Sequence, residues 1–209
     1  MRPLNKDLFT TNQTTYNPYG DAKEDLMLAL GSFCSYCERE GYNSALDVEH
    51  INDKDTHPSQ KYDWENFLLA CKNCNPIKGR KQIDNSLMPH IDNTFIIFSY
   101  LESGFVTINT NLETDLSLRA QKLLELVGLD RIPGHQNYSL KDQRWQERKK
   151  VWEISNRYLI KYQNKNCDID TIKDLALSRG FWSIWMTIFK DYSEVTQALI
   201  SGFNGTREY

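Results

Sequence analysis

The chain has 209 residues, 40% of them apolar, with a formal net charge of −3 and a pI of 5.8. An acidic balance of this kind excludes a protein that coats nucleic acid by bulk electrostatics, while leaving room for a local basic patch. The opening MRPLNKDLFT lacks the apolar stretch of a signal peptide, and the longest apolar run, FWSIWMTIF, is interrupted and too short to cross a bilayer, so a cytoplasmic protein without membrane association is expected.

Up to Gly20 the chain is polar, rich in Asn and Thr, and expected to be irregular. DAKEDLMLALG reads as a short helix with Ala22, Leu26 and Leu30 on one face and Gly31 as its stop. ALDVEHI sets Leu46, Val48 and His50 against Asp47, Glu49 and Ile51, the period of a strand. NDKDTHPSQ is a loop by composition, and DWENFLLAC is short and apolar, compatible with a strand or a helical turn. TFIIFSYLESGFVTINT predicts a hairpin that turns through Glu102, Ser103 and Gly104. Leu116, Ala120, Leu123, Leu124 and Val127 recur at helical spacing before Gly128. Ser139 and Asp142 predict a capping box opening a long helix to about Tyr162, and Asp170 predicts the cap of another ending near Gly180. FWSIWMTIFKDY and EVTQALISGF complete a helical bundle. The Trp and Phe residues concentrate after Phe95, which places the main apolar core there and a soft division near residue 90, between a metal-built front (1–90) and a mainly helical back (91–209).

Four of the five cysteines form two Cys-x-x-Cys pairs, Cys34 with Cys37 and Cys71 with Cys74, separated by 33 residues (positions 38 to 70). In a reducing compartment such pairs read as metal ligands, and two of them place four thiolates tetrahedrally, the preference of structural zinc. A redox motif needs one pair in a βαβ setting, which does not fit here. The enclosed segment holds few large apolar residues, so bound metal supplies the missing folding free energy. Cys167 stands apart as a spectator, and His57, His90 and His135 read as structural. Lys72, Lys78, Arg80 and Lys81 make a basic cluster beside the second pair, whereas Lys141, Arg144, Arg148, Lys149 and Lys150 read as the solvated face of a helix.

The combination of CSYC, VEHI, WENFLLAC and CNPIKG resembles the HNH endonucleases. The resemblance implies an α+β fold: a zinc-stabilised ββα-metal core, followed here by a mainly α-helical C-terminal region with a short β-hairpin. It also implies His50 as the catalytic histidine, Asn66 as the middle asparagine of the site, and Asn75 as the last metal-binding position. Glu49 stands where most relatives carry Asp. A neutral His50 takes a proton from water, while a magnesium ion held by Glu49 and Asn75 neutralises charge on the phosphoryl and leaving oxygens. Asn66 is expected to orient the loop carrying His50, and Lys78 and Arg80 to hold substrate phosphates. Strand alternation sends Glu49 and His50 to opposite faces, so both serve one site only near a strand end or a distortion.

The longer pattern VEHI…WENFLLACKNCNPIKG, with MRPLNK at the start and FWSIWMTIF…LISGFNGT near the end, is similar to the PtuB nucleases of Septu and retron-associated phage-defence systems. That similarity implies an effector nuclease working with an ABC-type ATPase partner, PtuA, on a nucleic-acid substrate, DNA ahead of RNA. Nothing in the sequence reads a base or a ribose hydroxyl. The helical region is then the candidate docking surface, with Trp152, Trp182 and Trp185 as interface anchors or, for at least two of them, as core. The rival from another class is a non-catalytic zinc module that binds nucleic acid or protein, which would have no use for Glu49, His50 or Asn75.

Overall fold

The computed structural model describes residues 1–208. Helix α1 (Ala22–Leu30) buries Ala22, Leu26, Ala29 and Leu30 and stops at Gly31, whose φ of 74° a side chain would disfavour. The first cysteine pair follows in a tight turn closed by Cys34 N to the Arg39 carbonyl and Glu38 N to the Cys34 carbonyl, both at 2.9 Å. Strands β1 (Leu46–His50) and β2 (Phe67–Cys71) pair antiparallel, with Leu46 opposite Cys71 and His50 opposite Phe67. This register sets the second cysteine pair beside the start of β1 and leaves His50 at the far end. The one-turn helix α2 (Cys74–Lys78) follows, completing a ββα unit.

DWENFLLAC, open in sequence between two conformations, adopts both. Asp63 caps a 3-10 turn (Trp64–Asn66) by accepting from Glu65 N at 3.1 Å, and the chain then extends into β2. Every residue of β2 is buried, with α1 packed against it.

In the second half, α3 (Thr94–Ile97) precedes an antiparallel hairpin of β3 (Phe98–Tyr100) and β4 (Val106–Ile108). The hairpin is shorter than expected because its first four residues turn helically, with Thr94 Oγ1 donating to the Met1 carbonyl at 2.9 Å. Helices α4 (Thr114–Val127), α5 (Arg144–Gln163), α6 (Ile169–Arg179), α7 (Trp182–Ile188) and α8 (Ser193–Gly202) complete the chain. Gly128 ends α4 in the left-handed region, as its position predicts. Two caps differ from expectation. Helix α5 starts at Arg144, because Asp142 is engaged by the Arg144 guanidinium at 2.8 Å while Ser139 Oγ accepts only from Lys141 N. Helix α6 is capped by Asp168, which accepts from Thr171 N at 2.8 Å, whereas Asp170 pairs with Lys173.

A single apolar cluster runs through both halves and includes Leu26, Leu30, Phe67, Leu69, Trp185 and Leu199. The expected concentration after Phe95 is thus corrected: α1 and β2 are as deeply buried as the helices, because α4 packs on α2 and closes the sheet half from the other side. Trp182 and Trp185 fill this core and Trp152 is half-buried. The halves are also sewn together by backbone. Phe181 N donates to the Glu38 carbonyl at 2.8 Å, and the Glu38 carboxylate accepts from Ser183 N at 2.8 Å and from Ser183 Oγ at 2.5 Å. Among the described residues no helix is long and apolar enough to cross a membrane.

Candidate active site and metal centre

The four paired cysteines are buried, and their sulfurs lie within 4.8 Å of one another, with Cys37 Sγ 3.6 Å from Cys71 Sγ. That spacing is far longer than a disulfide bond of ~2.05 Å. It is close to the edge of about 3.8 Å that four sulfurs ~2.3 Å from a tetrahedral zinc would have. The donor set therefore fits a structural zinc. Burial pushes the Cys34 and Cys74 thiols well above their usual range, and the bond with Cys34 raises Cys37, while its three neighbours hold Cys71 down. A divalent cation is what allows all four to ionise together. Cys167 lies outside the cluster, its thiol 3.7 Å from the Tyr158 carbonyl.

The cluster's surroundings correct one expectation from sequence. Lys141, Lys149 and Lys150 are exposed, but Arg144 and Arg148 are buried, and Arg144 Nη1 donates to Cys74 Sγ at 3.1 Å. Helical periodicity explains the split: the two arginines lie four residues apart and share the face that α5 turns inward.

At the other end of β1, His50 Nε2 lies 2.9 Å from the Lys61 carbonyl. A carbonyl only accepts, so the ring proton sits on Nε2, and in the neutral imidazole Nδ1 carries the free lone pair. Burial lowers the His50 pKa against the opposing pull of the Lys61 carbonyl, which keeps the ring neutral near pH 7. The ring makes edge-type contacts with Tyr19 at 4.7 Å and Phe67 at 5.2 Å, centroid to centroid. Asn66 is buried beneath. Its Oδ1 accepts from Asn52 N at 2.7 Å, and its Nδ2 donates to the Asn52 and Gln60 carbonyls at 2.9 and 3.2 Å, pinning both ends of the loop that presents Lys61.

Glu49 is buried, and burial raises its pKa to about 6 despite the Lys78 ammonium 2.6 Å away. Lys78 departs from its expected place. Its ammonium is fully enclosed, donating also to the His50 carbonyl at 2.6 Å, because a carboxylate buried on β1 draws the nearest cation from α2. Arg80, in contrast, is exposed and pairs with Asp55 at 2.6 Å. Asn75 Nδ2 donates to Asp47 Oδ2 at 3.1 Å. Burial opposes the ionised form of Asp47, but Lys72 and Asn75 outweigh it and hold the carboxyl below its usual range.

Asp47, Glu49, His50 and Asn75 border one cavity of about 380 Å³, with Tyr19, Lys54 and Arg80 on its walls, whereas Asn66 and Lys78 lie outside its lining. Glu49 and His50 can both reach it because His50 is the last residue of β1, where alternation no longer binds. Of the remaining histidines, His57 contacts Thr56, His135 lies 3.5 Å from Asp130, and His90 is half-buried. Asp47 is a neighbour that sequence reading missed, although its place two residues before Glu49 puts both on one strand face. Tyr19 and Lys54, whose ammonium sits 5.1 Å from the Tyr19 ring centroid, carried no local signal.

Residues 34–81 match the HNH endonuclease family, so the ββα unit with its cysteine cluster is an HNH endonuclease domain. Over 78 residues the chain is 33% identical to the Septu protein PtuB of Bacillus thuringiensis, across 34% of this chain and 30% of that protein. The similarity thus spans less than a third of the relative's length. Tyr19, and the Arg144 that reaches Cys74, come from outside the matched domain.

Proposed function

We propose that the protein is a metal-dependent HNH endonuclease that hydrolyses nucleic-acid phosphodiester bonds, and that it serves as the effector of a Septu-type anti-phage complex with an ABC-type ATPase such as PtuA. The observation that carries the reading is the neutral His50, anchored through Nε2 so that Nδ1 is the available base, on the wall of a cavity it shares with oxygen donors. His50 takes the proton of the attacking water at Nδ1. Asn66 keeps the ring in register by fixing the loop whose Lys61 carbonyl holds the opposite nitrogen. A magnesium ion, when bound, neutralises charge growing on the phosphoryl and leaving oxygens. Asn75 and Glu49, with Asp47 beside them, are hard oxygen donors suited to such an ion. Arg80 and Lys54 hold the substrate phosphates, while Lys78 balances Glu49. A zinc ion in the Cys34, Cys37, Cys71 and Cys74 cluster fixes the ββα unit. Exposed Leu118, Leu140 and Ile160 on the helical side support docking of the ATPase there.

The test incubates plasmid DNA and transfer RNA with the protein, in magnesium or in EDTA, with and without the ATPase. Magnesium-dependent cutting is expected, with His50→Ala folded, zinc-loaded and slower by about 10²–10⁴-fold. Binding without cutting in every arm selects the non-catalytic zinc module instead.

A further inference from the structure

Four thiolates around a divalent cation leave a net charge of about −2 in a buried place, which requires compensation from outside the ligand set. Arg39 of the HNH domain adds positive charge near Cys37 and Cys71, but its hydrogen bonds go elsewhere. Arg39 directs Nε to Glu147 at 2.6 Å and Nη1 to Asn73 at 3.0 Å. The contact to sulfur comes from the first residue of α5.

We propose that Arg144 is the charge-compensating hydrogen-bond donor of the tetrathiolate centre and sets its affinity for zinc. Its guanidinium is 2% exposed and locked from three sides. Nε donates to Asp142 Oδ1 at 2.8 Å, Nη2 to Asp142 Oδ2 at 2.5 Å and to the Gly128 carbonyl at 2.7 Å, and Nη1 to the Val127 carbonyl at 2.9 Å. The last two acceptors lie at the C-terminal end of α4, where helix carbonyls lack internal partners. The remaining direction of Nη1 is the one taken by Cys74 Sγ at 3.1 Å. A fixed planar fork can hold all of these at once; a lysine ammonium has neither the reach nor the geometry. The metal centre is therefore bipartite. The HNH domain supplies the thiolates, and the junction of α4 and α5 supplies the cation that stabilises them. Partners that act on metal ligands from behind are worth 10- to 100-fold in metal affinity in other sites, which sets the scale expected here.

The test uses the full-length protein and reads the metal directly. Zinc affinity is measured by competition with a chromophoric chelator, and the cobalt-substituted protein reports the energy of its thiolate-to-metal charge-transfer band. Arg144→Gln is expected to weaken zinc binding by about 10- to 100-fold and to move the band to lower energy, with Arg144→Lys intermediate. Val151→Ala, which trims the buried face of the same helix away from the sulfurs, controls for general loosening and should move neither. If Arg144→Gln does not fold, Arg144→Lys and Asp142→Asn, which frees the guanidinium from its anchor, give the same two readouts. Affinity within about twofold of native together with an unmoved band overturns the proposal, as does an equal shift in Val151→Ala. The inference rests on zinc occupying the thiol cluster. A native protein that carries no zinc sinks both readings, whereas zinc indifferent to Arg144 sinks this one alone.

Discussion

The Lys78 ammonium lies 2.6 Å from the Glu49 carboxylate, with the lysine fully enclosed and the glutamate nearly so where it borders the cavity. One of the oxygen donors nearest His50 is thus already balanced by a cation from within the chain, and a metal ion approaching Glu49 competes with it. The same ammonium ties Glu49 and His50 of the VEHI step to α2, since Lys78 also holds the His50 carbonyl.

Breaking that pair from one side strands a buried charge. Lys78→Met should lower unfolding free energy by about 3–5 kcal/mol, read from urea unfolding at neutral pH. The double variant Lys78→Met/Glu49→Gln should recover most of the loss, since no uncompensated carboxylate remains. A single variant as stable as the native protein would show that Glu49 is not ionised in the fold.

Tyr19 packs its ring against His50, 4.7 Å between centroids. Tyr19→Leu should leave zinc content and stability close to native but reduce cleavage by about 10- to 100-fold through misplacement of the imidazole. Tyr19→Phe keeps the ring and should stay near native, which separates packing from any role of the hydroxyl. Equal loss in both variants would assign the effect to the hydroxyl.

Gly180 closes the seam between the first cysteine turn and α7. Its φ is 68°, and a Cβ there would sit 2.5 Å from the Glu38 carbonyl oxygen and 2.7 Å from Glu40 N. Gly180→Ala should therefore cost at least about 1–3 kcal/mol and lower the melting temperature, because both contacts are backbone and cannot swing away. An unchanged melting curve would mean that the two halves separate without penalty.

His90 gives the fold an acid sensitivity distinct from that of the active site. Burial, with the Lys6 and Arg207 charges, lowers its pKa from 6.5 to about 4, and its Nδ1 finds no hydrogen-bond partner among the described residues. Between these values the unfolded chain binds a proton that the folded one refuses, so stability is complete above pH 6.5 and declines as pH falls toward 4. The loss amounts to at most about 3 kcal/mol. His90→Gln should flatten that part of a stability-versus-pH curve; an unaltered slope would locate the titration elsewhere.

The sequence by itself determined what depends on neighbours along the chain. The Cys-x-x-Cys spacings, the alternation of β1, the helical spacing and glycine stops of α1 and α4, and the VEHI and CNPIKG patterns were all legible locally. Cap positions were less so. Ser139, Asp142, Asp168 and Asp170 are all competent acceptors, and which one caps was settled by the partner each found in space. Only the tertiary structure decided which charges go inside. Burial of a lone charge is costly, so composition assigns every lysine and arginine to solvent; Arg2, Lys6, Lys78, Arg144 and Arg148 escape that rule. Glu49 meets Lys78 29 residues away, and Cys74 meets Arg144 70 residues away (78 − 49 and 144 − 74), distances at which no periodicity carries information. Tyr19 reaches His50 by the same means, through packing that the chain cannot announce before it folds.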